Sequence, residues 1–214
     1  MAIEVKRLDQ TAFTVADVVE LIHRAFKERK DEGLFFSCAD ISVEEYIEKV
    51  GNGVIFVAVD TVSGHLLGTG VTHFRKDKKG HQYGFNELLA IDPEARRMGI
   101  ASAMLKARAD YNLEKGSEYL ASDTAVGADS SVKYHFKNGF RIVGMVSFPQ
   151  TNYYSYVFRR QLKTDTFGQR LYTKGWYCKL LYLRSAIRTR LIRRPDGEFT
   201  GMVKLFLRLT GKRG

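Results

Sequence analysis

The hexad Arg96-Arg97-Met98-Gly99-Ile100-Ala101 joins residue types that suit an anion. Gly99 has no Cβ, so a ligand can approach the backbone there. Two arginines supply positive charge, and a helical pattern follows whose first N–H groups have no intrahelical partner. With the helix dipole behind them, such groups hold a phosphate or pyrophosphate. Six residues are a short motif, and a glycine beside two arginines also opens helices that bind nothing.

The flanking elements decide whether the hexad is placed for that chemistry. Upstream, Glu87 to Ile91 is a short apolar run ended by Asp92-Pro93, the pattern of a buried strand running into a turn. Downstream, Ser102 to Leu113 is helical in pattern. Ala101, Leu105 and Ala109 fall at i, i+4 and i+8, with Met104 and Leu113 beside them. The hexad is therefore a strand-to-helix joint.

The other elements follow from the same signals. Ile3 to Leu8 alternates as a first strand, and Thr14 caps a helix from Val15 to about Arg29. An aromatic-rich loop, Lys30 to Asp40, precedes a helix opened by the capping box Ser42-Val43-Glu44-Glu45 and broken at Gly51-Asn52-Gly53. Val54 to Val59 and His65 to Phe74 read as antiparallel strands, and Tyr83 to Ile91 as the next. Ser117 to Ser122 is a fifth strand ending at Asp123-Thr124. Ala128-Asp129-Ser130 offers caps for a short helix stopped at Asn138-Gly139. Phe140 to Phe148 and Asn152 to Phe158 close the sheet.

Two blocks resemble the GNAT acetyltransferase superfamily. Arg96, Gly99 and Ala101 fill the defined positions of its Arg/Gln-x-x-Gly-x-Gly/Ala motif, preceded by Leu-Ala-Ile-Asp-Pro-Glu. The second block is Ser131 to Phe140, a short helix ending in Gly139-Phe140. The resemblance covers roughly residues 3–160. It implies an α/β fold, a mixed central sheet with helices on both faces, in the order β-α-α-β-β-β-α-β-α-β-β. Residues 1–160 form the expected acetyl-CoA-binding catalytic domain, and residues 161–214 a basic C-terminal extension.

The resemblance also implies a reaction: direct attack of an acceptor, usually an amine, on the thioester of acetyl-CoA. Leu89, Ala90, Ile91, Arg96, Arg97, Met98, Gly99, Ile100, Ala101 and Ser102 are then the residues along the cofactor. An ammonium is no nucleophile, so a base must take its proton, and the departing thiolate gains from a donor. The family's donor is a tyrosine four residues before the Gly of the Gly-Phe pair. In this chain that position is His135, with Tyr134 one place earlier. A histidine titrates near neutrality and can serve, while packing or a backbone hydrogen bond is its other reading. Adjacent helical residues point about 100° apart, so His135 and Tyr134 do not both reach one sulfur.

Glu87 is the best-placed base. Alternation sets it on the face of Leu89 and Ile91 unless a bulge, common in this family's strand, reverses it. A strand-end ion pair is its alternative role, and His73, Asp123 or a water are other bases. Ala128 stands where the family often has an asparagine, so Asp129, Ser130 or Ser131 would have to replace its contact. Phe35 and Phe36 either face the acceptor, as this loop does in the family, or plug the core. An acetyl-CoA-binding module without catalysis, sensing cofactor or tethering a partner, is the rival from another class, and the His-for-Tyr change keeps it open.

Composition narrows the setting. The 214 residues suit one domain with an appendage. Cys38 and Cys178 form no disulfide or ligand pattern, and His23, His65 and His81 form none either, so no metal is expected. The opening residues lack a signal-peptide core and no run reaches membrane-spanning length, which suggests a cytoplasmic protein, soluble or peripheral. The net charge of +10 is unevenly spread: residues 1–160 carry 21 Lys and Arg against 21 Asp and Glu, and residues 161–214 carry 13 against 3. In that tail Leu171, Trp176, Leu180, Leu183, Ile187 and Leu191 share one helical stripe beside Arg184 and Arg188, and Met202 to Leu209 is a second apolar-basic segment. Residues 166–214 thus fit an anionic surface at the inner face of a membrane, docking on the body or on a second subunit, or, with no recognised motif to support it, nucleic acid. The membrane option would suit an envelope-precursor acceptor, and a small molecule is the general case.

Overall fold

The structure, a computed structural model, describes residues 2–31, 36, 38–148, 151, 153–163, 180, 183 and 201–210. Its strands are β1 (Ile3–Arg7), β2 (Val54–Asp60), β3 (Leu66–Lys76), β4 (Gln82–Ile91), β5 (Tyr119–Ala125), β6 (Arg141–Ser147) and β7 (Tyr154–Gln161). Its helices are α1 (Val15–Asp31), α2 (Val43–Val50), α3 (Ile100–Glu114), α4 (Asp129–Lys137) and α5 (Gly201–Thr210). The seven strands are hydrogen-bonded in the order β1-β2-β3-β4-β5-β7-β6. Antiparallel pairs run from β1 to β4, and β5 joins β4 in parallel, so the sheet is mixed.

Two compact units divide the chain. The first holds residues 1–28, 38–122 and 159–169, and the second holds 29–37, 123–158 and 170–214.

In the first unit local chemistry starts each helix where the sequence suggests. Thr14 and Asp17 form a reciprocal cap, the Thr14 hydroxyl accepting from the Asp17 amide at 3.3 Å and the Asp17 carboxylate from the Thr14 amide at 2.7 Å. Ser42 and Glu45 do the same for α2 at 3.1 and 2.8 Å. α3 begins at Ile100, two residues earlier than expected, because Gly99 at φ 83° serves as its cap. Its buried row differs from the apolar one. Leu113 is 39% exposed, whereas Arg108 and Asn112 are buried with Ile100, Met104, Leu105 and Ala109.

A polar zipper explains the difference. Asn112 donates to the Thr72 hydroxyl at 3.1 Å and the Arg108 carbonyl at 2.8 Å, and accepts from the Ser117 hydroxyl at 3.1 Å. Thr72 in turn donates to Asn86. Room comes from Gly84, where a Cβ would overlap the Asn112 carboxamide. Gly84→Ala is expected to lower stability by about 1–3 kcal/mol through overpacking, with a melting temperature several degrees lower. A melting curve indistinguishable from the parent's would contradict this close packing.

In the second unit Gly139 takes φ 80° and ends α4 as a left-handed C-cap. The start of α4 departs from expectation. Ala128 is the cap residue and makes no side-chain bond, so Asp129 and Ser130 lie within the first turn. β5 also runs on through Asp123 and Thr124 to Ala125 instead of stopping there.

Candidate active site

The carboxylate of Glu87 stands at a break in β4. In the β3–β4 register Val71 faces Glu87 and Thr69 faces Ala90, so Gly70 alone opposes both Leu88 and Leu89. The extra residue is a β-bulge, and Leu88 takes φ 53° within it. Such a bulge reverses alternation. Leu89 and Ile91 pack with Ile100 and Met104 of α3, while Glu87 turns to the other face. The simple alternation that placed Glu87 with Leu89 and Ile91 is thereby corrected, for the reason the bulge supplies.

On that face Glu87 Oε1 lies 2.7 Å from His73 Nε2. His73 is buried, and its ring lies so near Gly53 that a Cβ there would come within 2.7 Å of Cε1. Gly53 therefore clears the space the imidazole occupies. Burial alone would raise the Glu87 carboxyl. The hydrogen bond and charge of His73, with Lys49 and Arg75 acting in the same sense, outweigh it and hold the group below its ordinary value. Beneath the same face Cys38 is buried, which pushes its thiol up to about 11, an inert rather than nucleophilic state.

β4 is also open along one edge. Its parallel register with β5 covers Tyr83–Tyr119 through Asn86–Ser122. From Glu87 onward, among the described residues, its ladder partners come from β3 only. A strand edge of this kind offers N–H and C=O groups to an extended ligand.

The turn after β4 leads into the hexad. Asp92 caps a 3-10 turn at Pro93–Ala95 and is held by Arg24 of α1, whose Nη2 lies 3.2 Å from its carboxylate. Arg96 donates from Nη2 to the Ala25 carbonyl of α1 at 2.9 Å, so its guanidinium anchors the loop. Arg97 and Met98 are exposed, and Arg97 takes φ 67°. A Cβ built on Gly99 would meet no described atom within 4 Å. That space, together with the left-handed turn and the first N–H groups of α3, fits an anionic phosphate. Ile100 is buried and seats the helix, Ala101 is half-buried and Ser102 exposed. The amides of Ser102 and Ala103 already bond to the Gly99 carbonyl at 3.0 Å.

The second unit holds His135 and Tyr134. His135 is 6% exposed; its Nδ1 donates to the Ser131 carbonyl at 2.7 Å, and its ring stacks on Phe158 at 4.4 Å. Nδ1 therefore carries a proton. Tyr134 is half-buried beside it. The Thr124 hydroxyl donates to Ser131 Oγ at 2.7 Å. Asp123 is half-buried at the end of β5. Phe36 is half-buried with its ring centroid 5.1 Å from that of Tyr153, and Phe35 lies outside the described residues. Sequence reasoning passed over Arg108 and missed His73 as the partner of Glu87. The signal for the pair was present: His73 and Glu87 sit on neighbouring strands near one level.

Comparison with known proteins places the fold. The profile of the Acetyltransferase (GNAT) family matches residues 15–140. Among solved structures, the NatC complex bound to Gag peptide and CoA contains a chain that aligns at a TM-score of 0.59 and 17% identity, covering 76% of this chain and 100% of that one. The ribosomal-protein-S18-alanine N-acetyltransferase from Escherichia coli aligns at 0.59 and 14%, covering 80% and 99%. The acetyltransferase yncA from Salmonella typhimurium, solved with its cofactor acetyl-CoA, aligns at 0.57 and 12%, covering 79% and 99%. No curated protein matches in sequence. At these identities the structures speak for the fold.

Proposed function

Because the chain belongs to the GNAT acetyltransferase family, we propose that it moves an acetyl group from acetyl-CoA to a primary amine, with Glu87 as the base. The observation that carries the reading is the Glu87–His73 pair, 2.7 Å apart and partly buried, beside the bulged, open-edged end of β4. Acetyl-CoA supplies an activated acyl thioester. Arg97, Gly99 and the first N–H groups of α3 take its phosphates, Arg96 holds that loop on α1, and the backbone from Leu89 to Ile91 lies along its arm.

With Oε1 engaged by His73, Glu87 presents Oε2 to the acceptor amine, which attacks in its neutral form. An amine that is acquiring an acyl substituent is far more acidic than a free one, so a carboxylate of lowered pKa suffices to take the proton as the N–C bond forms. His73 steadies the carboxylate and keeps its orientation. The C–S bond breaks, and the thiolate takes the Nε2 proton of His135 in its imidazolium form, leaving the neutral ring with its Nδ1 proton on the Ser131 carbonyl. Phe36 borders the acceptor.

The test is a screen of amines (amino sugars, amino acids, peptide N-termini and polyamines) by thiol release, with product mass confirming one acetyl per thiol. Turnover with an amine supports the reading; thiol release without an acetylated amine in any class contradicts it. His135→Phe keeps the stack on Phe158 and loses the ring nitrogens. It is expected to lower kcat by about 10-fold or more, within the range of general acid catalysis, with KM for acetyl-CoA little changed. An unchanged kcat would leave His135 a packing residue.

The tail adds a partner, an anionic lipid surface at the inner face of a membrane. α5 presents Met202, Leu205 and Leu209 on one exposed side, with Arg208 exposed as well. Of the stripe expected between Leu171 and Leu191, only Leu180 and Leu183 fall among the described residues, and both are exposed and helical. Among those residues no helix is long and apolar enough to cross a membrane. Exposed leucines beside basic residues suit a surface that takes both, and a second copy carries the same +10 charge. The full chain should co-sediment with vesicles containing phosphatidylglycerol and not with pure phosphatidylcholine, and Leu205→Asp with Leu209→Asp should abolish this. Equal sedimentation by the double variant, or none by the parent, would overturn the lipid reading.

A further inference from the structure

Arg75 stands on β3 two residues beyond His73, and so on the same face of the sheet as the Glu87–His73 pair. In the β3–β4 register Arg75 lies opposite Tyr83, and His73 opposite Phe85. The guanidinium does not stay level with Tyr83. Its Cζ sits 4.1 Å from the centroid of the Phe85 ring, one strand pair nearer Glu87. An aromatic face beneath the fork fixes its plane and leaves the N–H edge to meet a carboxylate or phosphate.

Charge on this face points the same way. Arg75 is exposed, and among the described residues no carboxylate lies within ion-pair distance of it. Lys49, exposed in the last turn of α2, has no such partner either. After burial and the His73 contact, these two cations are the charges that act on Glu87 through space. All of these residues belong to the first unit. One carboxylate, already engaged by His73, does not balance both cations. A polyamine would bring only further positive charge, whereas an anionic group on the acceptor would complete the balance.

We propose that Arg75, stacked on Phe85, is the anion-binding residue of the acceptor site, and that the acceptor is an amine carrying a carboxylate or a phosphate. The inference rests on the acetyltransferase reading above and names the substrate class of the same site. Phe85 and Glu87 are two residues apart on β4, which sets the anion about 7 Å from the reacting amine.

Two pairs of amines that differ in the anion are the probes: γ-aminobutyrate against butylamine, and 3-aminopropyl phosphate against 3-aminopropanol. The parent is expected to show a kcat/KM about tenfold or more higher for the anionic member of at least one pair, in line with a charge-assisted contact. The pair that responds more tells carboxylate from phosphate. Arg75→Gln should remove that preference by lowering kcat/KM for the anionic amine, with the neutral amine and KM for acetyl-CoA little changed. Arg75→Lys, which keeps the charge and loses the fork, should keep part of it. Equal rates within both pairs for the parent, or a loss of equal size for both members in Arg75→Gln, would overturn the proposal. Acetylation of no amine at all would sink the acetyltransferase reading instead. The NMR signal of the Arg75 Nε–H group, assigned by its absence in Arg75→Gln, then judges Arg75: an anionic probe should shift it and the neutral amines should not, and no shift with either anion would overturn the proposal.

Discussion

Glu87→Gln is expected to lower kcat by about 10²–10⁴-fold, the usual reach of a positioned general base, while acetyl-CoA binds as before. Glutamine has the same shape and keeps an oxygen for His73, yet it cannot take a proton. The expected loss therefore falls on kcat, and KM for acetyl-CoA is the internal control. A variant that lost acetyl-CoA affinity with kcat intact would place Glu87 in binding rather than chemistry. The electrostatics add a pH signature. Glu87 lies below its ordinary carboxylate value, so it is ionised throughout the neutral range and any acid limb it causes falls below that value. For stability, a lowered carboxyl favours the folded state above its unfolded value, and that contribution is lost as pH falls through the folded one. Acid unfolding of Glu87→Gln should accordingly show a weaker pH dependence than the parent's in the carboxylate range.

Gly99→Asp is expected to raise KM for acetyl-CoA by about tenfold or more, equivalent to about 1.4 kcal/mol of binding. Aspartate is among the side chains that tolerate a left-handed backbone, so φ 83° at this position does not by itself unfold the variant. What changes is the charge: a carboxylate enters the open space at the start of α3, where the helix dipole and Arg97 otherwise favour an anion. Gly99→Asn, equal in shape and neutral, separates the two causes and should retain most of the affinity. A KM for acetyl-CoA unchanged in Gly99→Asp, with an unchanged melting temperature, would move the phosphate site elsewhere.

The element order was legible because its signals are local. Caps at Thr14 and Ser42, the Asp92-Pro93 turn and Gly139 each set a boundary by chemistry within a few residues. What sequence could not decide came from contacts distant along the chain. Arg108 and Asn112 look like a helix's polar side until Gly70 and Gly84, 38 and 28 residues earlier, open space for them beneath the sheet. Glu87 changes face because one extra residue enters β4 opposite Gly70, a count that belongs to two strands at once. The hexad itself was readable. The division of labour within it was not, because the Arg96 contact to Ala25 joins residues 71 positions apart.

Calorimetric titration of acetyl-CoA into the full-length protein tests the central claim most directly, that the strand, bulge and glycine turn form a working acetyl-CoA site. Saturable binding at one site per chain, with free CoA also bound and Gly99→Asp weaker by about tenfold or more, is the predicted result. Absence of binding by both acetyl-CoA and CoA to folded protein would contradict it.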